Sequence, residues 1–197
     1  MNWAGEFGNN HTDRNTGHTD LYMEKFGVTR LDMNRQFLSG LSPDIKILEV
    51  GCNRGEQLSI LKNMGFKNLY GVDTNGYALG MAKDGLHVLY GVATDIPFKD
   101  NFFDMVFTSG LLIHISPDSL GEVMDEIHRC TSKYIWGFEY YNDEYIKIPY
   151  RDGVGLWKGD FAQMFTDRFP DLRFVTTKGF PYLKDDNVDA MFLLEKR

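Results

Sequence analysis

The chain has 197 residues, 43% hydrophobic and 25% charged, enough for one domain with a sizeable core. With 21 basic and 28 acidic residues its formal charge is −7, which disfavours a broad nucleic-acid-binding face because phosphates are repelled. Two cysteines are too few for a disulfide framework, and no apolar run nears the ~20 residues of a membrane helix.

Residues 1–20 are polar and lack the apolar core of a signal peptide, so a reducing cytoplasm is the expected setting. Residues 1–43 precede the first strand and are expected to form a helical and loop cap; residues 44–197 are the main domain. Residues 45–50 are short and rich in β-branched side chains, as a strand is, and run into a glycine turn. Leu58, Leu61 and Met64 then recur at helical spacing. A second strand is expected at 69–73, a helical stretch through Ala82, a third strand at 87–90 and a fourth at 103–108. Ser116 suits a cap and Pro117 the first position of the next helix, whose Leu120, Val123, Met124 and Ile127 form one stripe. A fifth strand at 133–139, a helix ending at Pro170 and two closing strands at 172–177 and 188–195 complete the series. Alternating strands and helices predict an α/β fold, a Rossmann-like, mostly parallel sheet covered on both faces. Residues 140–158 break the alternation as an insertion with five aromatics, among them Tyr140, Tyr141 and Trp157, and so read as a functional loop on the substrate side.

Glu49-Val50-Gly51-Cys52-Asn53-Arg54-Gly55 ends the first strand, where a glycine turn before a helix lets backbone approach a ligand. Asp73 ends the second strand, 22 residues past Gly51, at the spacing of a carboxylate that accepts from ribose hydroxyls; Thr74 follows it. The turn lacks G-x-G-x-x-G and instead resembles the D/E-x-G-x-G-x-G motif of class I S-adenosylmethionine-dependent methyltransferases, with Asn53, a residue tolerant of positive φ, at the middle glycine. Gly91 to Phe98 is similar to that family's segment after the third strand. The resemblance implies that Thr94, Asp95 and Ile96 lie at the adenine. Phe102 to Ser109 resembles the fourth-strand motif F-D-x-V and implies that Ser109, Gly110 and Leu111 lie beside the methionine moiety. The resemblance over residues 45–139 implies a seven-stranded class I fold with S-adenosyl-L-methionine as cofactor. Trp3 to Asn15, Trp136 to Tyr141 and Leu156 to Phe161 further resemble the pseudaminic acid biosynthesis-associated methylases, with His11 where that family usually has Tyr. This implies a small-molecule substrate of sugar or nonulosonic-acid type.

A sulfonium methyl is already activated, so the protein has mainly to place a nucleophile in line and exclude water. A hydroxyl or protonated amine acceptor needs a base, whereas a carboxylate needs none. His114 is a candidate base or substrate contact, or a loop histidine that satisfies backbone groups. Glu139 ends the fifth strand as a candidate catalytic group, or pairs with Arg14 or Lys158. Tyr140 and Tyr141 either meet a polar acceptor or pack. Trp3, Phe7 and Arg14 belong to the arm that caps the site or merely packs on the sheet, and Arg14 or Arg151 can meet a substrate carboxylate bidentately. Cys52 reads as a small turn residue, and no histidine spacing indicates a metal. Methylation of a protein or RNA, or cofactor binding without transfer, are the rival functions. The absence of Pro-Pro removes the adenine-methylating motif, and neither the charge nor the recognition surface available favours nucleic acid.

Overall fold

The computed structural model of the protein describes residues 3–15, 18–150 and 155–197. Three helices, α1 (Glu6–Arg14), α2 (His18–Phe26) and α3 (Arg30–Leu38), precede the sheet. Then follow β1 (Lys46–Val50), α4 (Glu56–Asn63), β2 (Asn68–Asp73), α5 (Gly76–Leu79), β3 (His87–Tyr90) and β4 (Phe103–Ser109). After a short 3-10 turn at Leu112–His114 come α6 (Pro117–Cys130), β5 (Thr131–Tyr141), β6 (Ile146–Pro149), β7 (Gly155–Lys158), α7 (Phe161–Arg168), β8 (Leu172–Pro181) and β9 (Val188–Lys196). The main sheet has the order β3-β2-β1-β4-β5-β9-β8. Its first five strands are parallel, and β9 runs antiparallel to both neighbours. This is the Rossmann-like seven-stranded arrangement expected.

Strand alternation sorts the core onto two faces. Leu48, Val50, Val106, Ile135, Phe192 and Leu194 belong to the cluster that includes α6 and α7. Their neighbours Ile47, Met105, Phe107, Trp136, Met191 and Leu193 join Phe26, Met33, Phe37, Leu58 and Leu61 from α2, α3 and α4. Thus α2 and α3 are a layer of the core, whereas α1 lies elsewhere. The stripe Leu120, Val123, Met124 and Ile127 is buried as its spacing predicts. The Ser116 side chain does not cap α6: its Oγ meets Ser119 Oγ at 3.4 Å, and Pro117 at N1 leaves one fewer amide to satisfy.

Two expectations are revised by the structure. The helical stretch after β2 is one turn only, opening on Gly76 and ending at Gly80, whose backbone entropy disfavours continuing it. Residues 140–158 are no plain loop: β5 runs on to Tyr141, and β6 and β7 pair as a hairpin. That hairpin is held by apolar contacts, with Leu156 buried and Tyr145 packed edge-on to Phe161.

Candidate functional site

Chain order reverses between β1 and β4, and at their carboxyl ends the two connections leave in opposite directions, opening a crevice. A cavity of about 400 Å³ occupies it. The turn after β1 shapes one wall. Gly51 (φ 75°) and Gly55 (φ 75°) adopt left-handed backbone, and so does Asn53 (φ 50°) at the middle position. A Cβ on Gly51 would stand 2.8 Å from a Leu111 methyl, so the close approach of the turn to the segment after β4, together with the left-handed φ, favours glycine. Gly51 and Cys52 donate their amides to the Val72 carbonyl, tying the turn to β2.

Asp73 organises both loops. Its Oδ2 accepts the Asn53 amide at 2.7 Å and its Oδ1 the Asn75 amide at 2.8 Å. Burial pushes its carboxyl pKa up against these backbone hydrogen bonds. Glu49 is 3% exposed, also lines the cavity, and has an Oε2 without a hydrogen-bond partner among the described residues. Burial drives its pKa well above the usual range, opposed by the Arg30 charge. A buried carboxylate oxygen of this kind is completed by a cationic ligand group. That observation, with the glycine cradle and an Asp73 that retains acceptor capacity, fits S-adenosylmethionine, whose ammonium and sulfonium are positive and whose ribose offers two hydroxyls.

The arm docks on these same two loops. Asn53 Nδ2 donates to the buried Thr12 Oγ1 (2.9 Å), and Asn75 Nδ2 donates to the Trp3 carbonyl (2.9 Å) and to Asn9 Oδ1 (3.0 Å). Tyr77 donates its hydroxyl to Asp13 (3.0 Å). Gly8 sits where a Cβ would overlap the Trp3 carbonyl, so α1 needs glycine to fold back under Trp3. Trp3 packs on Phe7 (5.0 Å), His11 (5.2 Å) and His114 (4.8 Å between ring centroids).

Of the residues singled out by sequence, Glu49, Gly51, Cys52, Asn53, Asp73, Thr74, Ser109, Gly110, Leu111, His114, Tyr140 and Trp3 line the cavity. Gly55 is one step back, as the left-handed cap of α4. Thr94 and Trp157 line a smaller neighbouring depression that also touches Trp3 and His114. Asp95 is exposed, and Ile96 is buried with its amide donated to Glu126 at 2.7 Å, so neither lies on the main cavity wall. Tyr141 donates to Asp143, Arg14 is exposed on α1, and Arg151 lies outside the described residues.

Glu139 does something other than pair with Arg14 or Lys158. Its Oε1 accepts the Leu111 amide at 3.2 Å and its Oε2 faces the Ile113 amide at 3.5 Å, while Lys158 donates to Asn187. Glu139 therefore pins the turn that carries His114, and burial raises its pKa to about 7. On the cavity wall His114 has a buried Nδ1 without a partner among the described residues, and burial lowers its pKa to about 4, with the nearby His11 adding to the shift. It is a neutral imidazole at pH 7, and so has an acceptor nitrogen. Burial also raises the Tyr140 hydroxyl to about 12, so it stays protonated and can donate.

Sequence reasoning missed Tyr22, Lys25 and Asp189, which also line the cavity, as does Tyr150 of the aromatic insertion. A signal for Asp189 was present: period-two alternation sets it on the same face as Met191 and Leu193, an acidic residue among core positions. Among the described residues no helix is long and apolar enough to cross a membrane, and no cluster of three or more His, Cys, Asp or Glu is placed to hold a metal.

Residues 48–134 match the family profile described as "Methyltransferase domain". An uncharacterized methyltransferase of Synechocystis sp. is 33% identical over 92 residues, 45% of this chain and 43% of that protein. Cycloartenol-C-24-methyltransferase of Arabidopsis thaliana is 28% identical over 173 residues, 78% of this chain and 47% of that protein. The chain spans less than half the length of these two relatives. Among solved structures, 1,6-didemethyltoxoflavin-N1-methyltransferase of Burkholderia thailandensis, with bound S-adenosylhomocysteine, superposes with a TM-score of 0.71 over 96% of this chain and 88% of that one, at 12% identity. A protein from Pyrococcus horikoshii gives 0.69 over 100% and 96%, at 15% identity. Residues 48–134 thus match a methyltransferase-domain profile, and the chain has the class I methyltransferase fold.

Proposed function

We propose that the protein transfers a methyl group from S-adenosylmethionine to an oxygen or nitrogen of a small polar molecule of sugar or nonulosonic-acid type. The observation that carries this reading is one cavity lined by Glu49 and Asp73, by His114 and Tyr140, and by Trp3 of the arm. A cavity walled in part by the chain's own arm suits a small acceptor rather than a protein or RNA surface, and the charge of −7 disfavours polyanions. The resemblance to pseudaminic acid biosynthesis-associated methylases supports the acceptor class, and the 1,6-didemethyltoxoflavin named for one structural neighbour supports only that the acceptor is a small molecule.

When bound, the cofactor supplies a methyl group already activated by its positive sulfur. Glu49 and Asp73 hold its charged and hydroxylated parts, and the glycine turn admits its close approach. The neutral His114 takes the proton of a hydroxyl or amine acceptor, and the Tyr140 hydroxyl donates to a neighbouring polar group. Glu139 keeps His114 in place through the Leu111 amide. Trp3 and α1 exclude water.

Two measurements test the reading. Calorimetric titration should show S-adenosylmethionine and its demethylated product binding; binding of a nicotinamide dinucleotide alone would overturn it. Incubation with sugar nucleotides and nonulosonates should then give a product heavier by one methylene unit. In that assay His114→Ala should lower kcat by about a hundredfold. The wild-type acid limb should fall near the lowered His114 pKa of about 4 rather than at an ordinary histidine's value. A limb at the ordinary value would exclude His114 as the base.

A further inference from the structure

Five carboxyl or ammonium side chains line the cavity among the described residues: Lys25, Glu49, Glu56, Asp73 and Asp189. Glu49 and Asp73 stand at the cofactor turn, and Glu56 is tied to Arg54 (2.8 Å) and Lys83 (3.6 Å). Lys25 and Asp189 remain as a pair of opposite charge. Asp189 lies on β9, in register with Tyr140 of β5. With β4 and β5 between them, β9 stands three strands from β1, about 14 Å across the sheet. The pair is therefore well separated from Glu49 along the cavity.

The local geometry is that of a binding wall. Lys25 Nζ lies 3.4 Å from Asp189 Oδ2, while Asp189 Oδ1 accepts the Tyr182 hydroxyl at 2.8 Å. The ammonium is held against the rings of Tyr182 (3.9 Å to the centroid), Tyr140 (4.9 Å) and Phe26 (5.1 Å). The Asp189 side chain is 3% exposed and that of Lys25 26%, so the ammonium presents its remaining donors toward the cavity. A carboxylate placed here would meet Asp189, and an ammonium would meet Lys25, each like-charge contact being costly where water is excluded. A hydroxyl both accepts and donates, so neighbouring hydroxyls can accept a hydrogen bond from Lys25 and donate one to Asp189 at once. The Tyr140 and Phe26 rings, which line the cavity, suit the apolar part of a saturated ring.

We propose that Lys25, Asp189 and Tyr140, backed by Tyr182 and Phe26, form an acceptor subsite for the uncharged vicinal hydroxyls of a sugar-like ring, one that rejects a carboxylate or an amine at that position. The inference rests on the reading of the cavity as a small-molecule methyl-transfer site and adds which part of the acceptor is bound where. It leaves an acidic group, where the acceptor has one, to be met elsewhere.

The test is ligand-observed NMR on the S-adenosylhomocysteine-saturated protein and on the protein alone, using a set of neutral methyl hexopyranosides with the matching uronic acids and amino sugars as probes. At least one neutral glycoside should bind, more tightly than its acidic and amino counterparts. Lys25→Met and Asp189→Asn should each weaken that binding by about tenfold, the loss of one hydrogen bond to a charged partner. S-adenosylhomocysteine affinity, measured by calorimetry on the same samples, should stay near wild type and so report that the variants are folded. Preference for the uronic acid or amino sugar, binding of no neutral glycoside, or neutral binding indifferent to both substitutions would each overturn the subsite. Failure of S-adenosylhomocysteine to bind the wild type would instead overturn the methyl-transfer reading.

Discussion

Asn53 shows how one side chain can serve a turn and a distant helix together. Glycine at the middle of the motif would satisfy the left-handed turn, and Asn also adopts φ 50° there. Its amide adds the hydrogen bond to Thr12, 41 positions earlier, which glycine lacks. Asn53→Gly should therefore leave the turn intact but loosen the arm. The loss of one buried hydrogen bond, about 1 kcal/mol, should weaken S-adenosylhomocysteine binding about fivefold and speed proteolysis within residues 3–15. Calorimetry and a timed digest check this; unchanged affinity would mean that arm and cofactor turn are uncoupled. The tolerance of Asn53 for positive φ was legible from residue type. The Thr12 contact was not, because no local rule relates residues 41 apart.

At the scale of elements, three pieces frame the site: α1, the Leu112–His114 turn and the β6–β7 hairpin. Of residues 1–43, α2 and α3 contribute Phe26, Met33 and Phe37 to the core, whereas α1 meets mainly the two cofactor loops. Removing residues 1–18 should accordingly leave a folded protein that loses both cofactor affinity and turnover, measured by calorimetry and methyl transfer. Retention of both would make α1 mere packing. On β5, Gly137 leaves room for the Phe192 ring, since a Cβ there would stand 2.2 Å from it. Gly137→Ala should cost about 1–3 kcal/mol by overpacking, read as a lower Tm. Central strands such as β1 and β4 were legible because their apolar runs are short and continuous. The hairpin was not: its exposed Lys147 and Pro149 mute the strand pattern, and pairing becomes visible only with both strands in register.

For the molecule as a whole, buried carboxyls set the response to pH. Burial raises the pKa of Glu139 to about 7, and Glu49, Asp73 and Asp189 shift in the same direction. The folded state then holds protons that the unfolded chain has released, so stability from Glu139 is complete below its unfolded value of 4.5 and is lost as pH rises through about 7. His114 acts oppositely: its folded pKa of about 4 lies below 6.5, so its neutral burial costs stability as pH falls through that interval. Above pH 6.5 only the carboxyl effect remains. Without cofactor, stability should fall from pH 6.5 to 8 by at most about 1.4 kcal/mol per pH unit for each titrating carboxyl, read as a lower Tm. Glu139→Gln should flatten that fall, and a Tm that rises over the same range would refute the assignment.

By itself the sequence determined the alternation of strands and helices, the glycine turn after the first strand and the carboxylate that ends the second. Each is written in residues adjacent along the chain, where backbone geometry and period-two or helical spacing act. Tertiary structure alone decided which candidates share a wall. It put His114 and Tyr140 on the cavity and Glu139 behind the turn, and it brought Lys25 of α2 to Asp189 of β9 across 164 positions of chain. Such pairings are fixed by sheet order and by how the layers pack, which residue spacing along the chain does not encode.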